Sequence, residues 1–117
     1  MKYSQIAILP NQVEFCTAAE NDPAAKEFNL FDLMDLIMAL EELSSPILTI
    51  NHGEPLSEDN LFLIDLVIHE VLRALPHTRI YVYTHLNSEE LKSLESNNHY
   101  KEISSKSLIL PYEIKEK

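Results

Sequence analysis

Short apolar runs alternate with longer amphipathic segments along most of this chain. Five of the runs have the length and the β-branched or aromatic content of strands, and they lie at 5–9, 13–16, 47–51, 79–84 and 107–110. Pro10-Asn11 separates the first two runs, which therefore form a hairpin or continue together into the sheet. Residues 17–26 are polar and contain Pro23, so they are predicted to be a loop.

Helical periodicity fills the segments between the later runs. Residues 30–43 repeat apolar positions every three or four residues, with Asn29 as the predicted N-cap. We expect this helix to be deeply packed on a wide apolar side formed by Leu30, Phe31, Leu33, Met34, Leu36, Ile37, Met38 and Leu40. A second helix is predicted from Ser57 to Leu75 before Pro76, and a short third helix from Asn87 to about Ser96.

This order of elements predicts a single α/β domain over residues 1–117, a length that one hydrophobic core can support. Strands that alternate with helices pair in parallel through right-handed crossovers. We therefore expect a mainly parallel sheet of four to five strands with three helices, arranged in three layers or as a partial barrel.

Composition matches an ordinary folded protein, with 45% hydrophobic and 24% charged residues. No apolar stretch is long enough to span a bilayer, and the N-terminus lacks the apolar segment of a signal peptide. The single cysteine, Cys16, excludes an internal disulfide and is typical of a reducing compartment. These features predict a cytoplasmic protein with no membrane contact.

The formal net charge of −10 is confined to the first two thirds of the chain. Residues 1–75 carry 3 Lys/Arg and 13 Asp/Glu, whereas residues 76–117 carry 6 of each. The negative electrostatic field of these acids repels nucleic-acid phosphates and attracts basic surfaces. The acids form either a solvated face that aids solubility or a docking surface for a basic protein partner. The acids of that docking surface would be Asp32, Asp35, Glu41, Glu42, Glu58, Asp59, Asp65 and Glu70.

The only glycine of the chain, Gly53, directly follows the run 47–51 and precedes Glu54. Thr84 ends the run 79–84 and His85 follows it, and both are expected at the same edge of the sheet. Ligands of open α/β sheets bind beyond the carboxyl ends of the strands. A glycine at that position lets the backbone turn sharply, or lets a ligand approach the main chain.

Two motifs at a fixed separation suggest a family. Gly53-Glu54-Pro55-Leu56 follows one strand, and Leu75-Pro76 precedes the next strand, which ends at Thr84, with Ser88-Glu89-Glu90-Leu91 in register behind it. In this combination the chain resembles the radical S-adenosylmethionine activating enzymes of anaerobic ribonucleotide reductase. The resemblance covers roughly residues 28–103, and it implies the partial-barrel fold of that family.

The resemblance also implies a cofactor-binding loop at residues 51–56. In that family the equivalent loop holds the amino group of S-adenosylmethionine through backbone groups and a carboxylate. The binding residues carried over to this chain are Asn51, His52, Gly53, Glu54 and Thr84. They imply residual S-adenosylmethionine binding.

The chain departs from the family at the residues that carry its chemistry. Three cysteines spaced Cys-x3-Cys-x2-Cys bind a four-iron cluster in the family, and thiolates are the ligands that such clusters require. Cys16 alone cannot hold one, so we expect no iron–sulfur cluster, no resident cofactor and no radical chemistry. His52 and His85 also replace glycines that leave the family's backbone open to the cofactor. The predicted function is therefore that of a non-catalytic remnant, acting as a protein-binding or regulatory module.

Two alternatives stay open. One is an acidic inhibitor of a nucleic-acid-binding protein, and the other is a small ligand- or metal-dependent enzyme at the strand edge. For the second, a chemically acceptable zinc set consists of Cys16, His52, Glu54 and His85. Their spacing matches no zinc signature, so we expect no retained metal. No nucleophile elbow, phosphate loop or paired-carboxylate motif is present, so no catalytic residue is predicted.

Overall fold

Within residues 1–112, which the computed structural model describes, the chain forms six strands and four helices. In chain order they are β1 (Lys2–Ile8), β2 (Val13–Thr17), β3 (Lys26–Glu27), α1 (Leu30–Glu41), β4 (Ile47–Asn51), α2 (Glu58–Ala74), β5 (Arg79–Thr84), α3 (Ser88–Ser93), α4 (Asn98–Lys106) and β6 (Leu108–Pro111). The predicted α/β class is confirmed. The charged end of the sequence, residues 113–117, lies outside the described residues.

All six strands belong to one mixed sheet in the order β3-β1-β2-β4-β5-β6. Strand β1 is antiparallel to β2 and to β3, so the predicted hairpin is confirmed. Strands β2, β4, β5 and β6 are parallel, as expected. The sheet exceeds the predicted four to five strands because β3 adds two residues to the free edge of β1, inside the segment predicted to be a loop. Two residues are too few for an alternating pattern to show.

The parallel strands follow one another in chain order across the sheet, so every crossover advances in the same direction. Right-handed crossovers in one direction place their helices on one face of the sheet. The burial of side chains agrees with helices on one face. Phe15, Ile50 and Val82 lie in register on adjacent strands, and all three are fully buried in the core between the sheet and the helices. The sheet and its helices therefore form two layers.

The other face of the sheet, the open face, carries mainly polar and aromatic side chains. The strand registers assign to it Gln5, Ala7, Glu14, Cys16, Thr49, Asn51, Tyr81, Tyr83, Leu108 and Leu110. The helix-covered face carries Val, Ile and Leu instead. Polar side chains are accommodated on the open face because no helix packs over it.

Helix α1 begins where the sequence predicted it. The Asn29 side chain accepts the Asp32 N–H at 3.1 Å, and the Asp32 carboxylate accepts the Asn29 N–H at 2.9 Å, which forms a reciprocal capping box. The predicted apolar side was too wide, however. Leu36, Ala39 and Leu40 are buried, whereas four of the predicted packing residues are exposed, namely Leu30, Phe31, Met34 and Met38. One side of helix α1 packs against β2 and α2. Only the residues on that side reach the core.

The predicted third helix ends early, and a fourth helix follows it. Helix α3 starts at the predicted capping box of Asn87 and Glu90, but it stops at Ser93. Helix α4 is then capped by Asn97, whose side chain accepts the Tyr100 N–H at 3.0 Å. Ile103 is the buried residue that anchors α4 to the core, and a single anchor produces no apolar repeat in the sequence.

Tyr3 connects β1 to α1. Its ring stacks on Phe15 with 5.4 Å between the centroids, and its hydroxyl donates to Asp32 Oδ1 at 2.8 Å. Burial, together with the Asp32 carboxylate, raises the pKa of Tyr3 to about 12. Ionising Tyr3 is therefore harder in the folded protein than in the unfolded chain.

We expect the protein to lose stability as the pH rises from about 10 toward 12, because the unfolded chain releases the Tyr3 proton near the ordinary tyrosine pKa of about 10. Below that range the contribution of Tyr3 is fully present. Urea midpoints measured across this range should fall less steeply for Tyr3→Phe than for the parent. The control Tyr81→Phe, on the open face, should retain the parent slope. An unchanged slope in Tyr3→Phe would refute the assignment.

Candidate functional site

The ends of the four parallel strands meet at one edge of the sheet, and the residues that follow them are in contact. At this strand edge the Thr17 hydroxyl donates to the backbone carbonyl of His52, and the Tyr112 hydroxyl accepts the His52 N–H. The ring of His85 stacks on Tyr112, with 4.1 Å between centroids and 11° between planes. Residues that end β2, β4, β5 and β6 thus form one cluster, as the sequence predicted for β4 and β5.

The backbone after β4 takes a left-handed turn at two successive residues. His52 has a φ of 63° and Gly53 has a φ of 50°, a region that L side chains rarely adopt. A Cβ built on Gly53 would lie 2.7 Å from the Ala18 carbonyl oxygen and 2.8 Å from Thr17 Oγ1. Close packing of this turn against the end of β2 therefore explains why glycine is present at this position.

Glu54 clamps the loop after β4 to the end of β5. Its carboxylate accepts three hydrogen bonds, from the Thr84 hydroxyl at 2.6 Å, the His85 N–H at 2.7 Å and the Leu56 N–H at 3.0 Å. An ionised carboxylate offers about four acceptor positions, so the chain itself uses most of them. The structure thus brings the predicted residues Glu54 and Thr84 into contact. Their hydrogen bond joins two segments of the chain. S-adenosylmethionine binding at residues 51–56 stays a prediction.

The possible metal ligands group differently from the set named from the sequence. Ligand atoms of Cys16 and His52 lie within 4.8 Å of each other and of a Glu14 carboxylate oxygen. Glu54 is engaged in the clamp, and His85 stacks on Tyr112. Glu14 was not in the set named from the sequence. Its position could have been inferred from Cys16, because residues two apart on a strand share one face.

Cys16 is almost completely buried, with 1% of its surface exposed. Burial, with a smaller contribution from the nearby Glu14 carboxylate, raises the pKa of the thiol to about 11. The protonated Sγ donates to Asn51 Oδ1 at 3.6 Å, and Asn51 Nδ2 donates to Glu14 Oε2 at 3.4 Å. Because the thiolate is the reactive form, this thiol is a poor nucleophile at neutral pH.

Two depressions flank Glu14 and Cys16. The first is a groove of about 490 Å³ on the open face, lined by Gln12, Glu14, Thr49, Asn51, Tyr83, Leu110, Pro111 and Tyr112. The second, of about 340 Å³, lies at the strand edge beside Cys16 and His52, and Gln5 and Asp22 also line it. Both are open to solvent and the second is mainly polar, so small hydrated ligands have access to the cluster.

Comparison of the chain with protein-family models, curated proteins and solved structures found no match. In the part of the chain that the structure describes, no helix combines the length and the apolar character needed to cross a bilayer. Function is therefore inferred from the surfaces and side chains of this chain.

Proposed function

We propose that this chain is a non-catalytic protein-binding module, and that α1 docks a basic amphipathic segment of another protein. The observation that supports the proposal is the α1 stripe, which consists of Leu30, Phe31, Met34 and Met38. These side chains are between 47% and 73% exposed. Positions 30, 34 and 38 lie on successive turns of one helix face, and Phe31 adjoins them. A contiguous exposed apolar patch of this kind is typical of interaction sites.

Acidic residues border the α1 stripe. Asp35 lies four residues after Phe31, and Glu41 and Glu42 lie three and four residues after Met38, so all three acids are helical neighbours of the stripe. Each of them is exposed. An apolar surface with an acidic border matches a segment that places Lys or Arg beside apolar anchors. With a net charge of −10, a second copy of this chain is electrostatically disfavoured as the occupant.

Other acids of the predicted docking face are engaged within the chain. Asp32 caps α1 and accepts the Tyr3 hydroxyl, Asp65 contacts His99 Nδ1 at 2.7 Å, and Glu70 pairs with Arg73 at 2.8 Å. Exposed acids of that face are Asp35, Glu41, Glu42, Glu58 and Asp59. Three of these acids, Asp35, Glu41 and Glu42, adjoin the four exposed apolar residues of the α1 stripe, whereas Glu58 and Asp59 adjoin the single exposed Phe62.

The architecture supports the further proposal that the module is a remnant of a radical S-adenosylmethionine-type partial barrel. Parallel strands in chain order with helices on one face are the repeating arrangement of β/α barrels. Cys16 is the only cysteine of the sequence, which supports the absence of the family's iron chemistry. A lone buried thiol also supports our proposal of a cytoplasmic location.

A synthetic amphipathic helix of Leu and Lys tests the docking proposal. We expect its binding, followed by fluorescence anisotropy, to weaken markedly between about 0.05 and 0.5 M salt, as the Debye length falls well below 10 Å. Phe31→Ser should weaken binding by about 30-fold, the effect of losing an interface anchor worth about 2 kcal/mol. The matched control Ile8→Ser removes an apolar side chain of similar exposure, 69% against 73%, and should leave binding unchanged.

Salt-independent binding would contradict the acidic border as part of the site. Equal losses in Phe31→Ser and Ile8→Ser would show nonspecific adhesion of the peptide to exposed apolar residues. Dimerisation of the chain that Phe31→Ser abolishes would identify a second copy as the occupant instead.

A further inference from the structure

We propose that Glu14, Cys16 and His52 form a binding site for a divalent transition-metal ion of the zinc class. Potential ligand atoms of the three side chains all lie within 4.8 Å of one another. Zinc bonds of about 2.0–2.3 Å bring neighbouring ligand atoms to about 3–4 Å, so a small rotation of the side chains closes the site. His52 is exposed and Glu14 is half-buried, so both side chains have space for this small rotation.

The donor set selects the metal. One imidazole nitrogen, one thiolate sulfur and one carboxylate oxygen are the three donor types that zinc accepts in proteins. Hard cations such as Mg²⁺ and Ca²⁺ prefer sets made only of oxygen, so a buried cysteine disfavours them. Three protein ligands leave the fourth position of a tetrahedral ion open. Cys16 and His52 also line the depression of about 340 Å³ at the strand edge, through which water or a small ligand reaches that position.

Neighbouring groups orient two of the ligands. The Asn51 side chain donates to Glu14 and holds its carboxylate, whereas the hydrogen bond from the Cys16 thiol to Asn51 is given up when the thiol loses its proton to bind the metal. Both backbone polar groups of His52 are also held, by Thr17 and Tyr112, although His52 adopts a left-handed conformation. Such outer partners fix ligand orientation in metal sites, and left-handed non-glycine residues are concentrated at functional sites.

This inference is independent of docking on α1, because the three ligands lie at the strand ends of the sheet. It also differs from the zinc set considered from the sequence. Glu14 takes the place of Glu54, whose carboxylate is engaged in the clamp, and His85 is not a ligand.

Zinc alone, added to the purified full chain and followed by dialysis, tests the site. We expect about one zinc per chain to remain bound. Glu14→Gln and His52→Ala should each weaken zinc affinity by more than about 100-fold, since even outer partners of metal ligands contribute about 10- to 100-fold. Both substitutions are at positions with solvent access, so folding should persist, and circular dichroism checks this. Asn51→Ala should weaken affinity by about 10-fold through lost orientation of the ligands.

His77→Ala is the matched control, since it removes an exposed histidine that precedes β5, at the opposite end of the strands, and should leave zinc affinity unchanged. Cobalt provides a second readout, because a sulfur-to-cobalt charge-transfer band in the parent should be absent in Cys16→Ser. Failure to retain zinc would overturn the proposal. Retention that survives Glu14→Gln and His52→Ala, or that is lost in His77→Ala, would overturn this ligand set.

Discussion

Replacing Gly53 with alanine should lower the free energy of unfolding by about 2–5 kcal/mol, since a left-handed alanine costs about 1–2 kcal/mol and an overpacked methyl about 1–3 kcal/mol. The added Cβ would lie 2.7 Å from the backbone carbonyl oxygen of Ala18, which belongs to the segment after β2 and cannot rotate away. Urea denaturation of the two proteins measures the difference.

His52→Gly provides the control for this prediction, because His52 has nearly the same left-handed φ. Glycine tolerates that conformation, so His52→Gly should unfold within about 1 kcal/mol of the parent. A chelator in both samples removes any contribution from bound metal. If Gly53→Ala were as stable as the parent, the turn would not be packed against β2 as the structure shows.

Glu54→Gln should lower the free energy of unfolding by about 2–3 kcal/mol, because hydrogen bonds to a charged group contribute about 1.5–3 kcal/mol and one or two of the donors lose their acceptor. Glutamine keeps the size of the side chain but replaces one acceptor oxygen with an NH₂ group. That NH₂ group faces the donors of Thr84, His85 or Leu56. The exposed change Glu95→Gln is the control, with an expected effect within about 0.5 kcal/mol.

A double-mutant cycle identifies the clamp itself. The effects of Glu54→Gln and Thr84→Val should be non-additive by at least about 0.5 kcal/mol, as expected for residues in one hydrogen-bond network. Additive effects would mean that Glu54 does not connect the loop after β4 to β5.

Local signals in the sequence located most of the fold. The side chain of Asn29 caps α1 and that of Asn87 caps α3, and each pairs with an acid three residues later, so the two helix starts were predictable from short-range chemistry. The parallel strands were predictable because their runs are β-branched and separated by helices. Strand β3 and helix α4 were missed because two residues and one buried anchor produce no periodicity.

Helix α1 shows why burial could not be predicted from pattern alone. Leu30 and Leu40 are both apolar positions of one amphipathic helix, yet the first is 66% exposed and the second is fully buried. The pattern identifies apolar surface, but whether the core or a partner covers it depends on which neighbours a helix has. Glu14 illustrates the same limit at the strand edge, since its proximity to His52 depends on the pairing of β2 with β4.

Site-specific photocrosslinking in the producing cells tests most directly whether the α1 stripe binds a basic segment of another protein. A photoreactive phenylalanine analogue at position 31 should give one discrete adduct. Mass spectrometry should map that adduct to a segment with Lys or Arg beside apolar residues, and the analogue at position 8, of similar exposure, should give none. Crosslinking at position 8 but not at position 31, or to an acidic segment or a second copy, would contradict the claim.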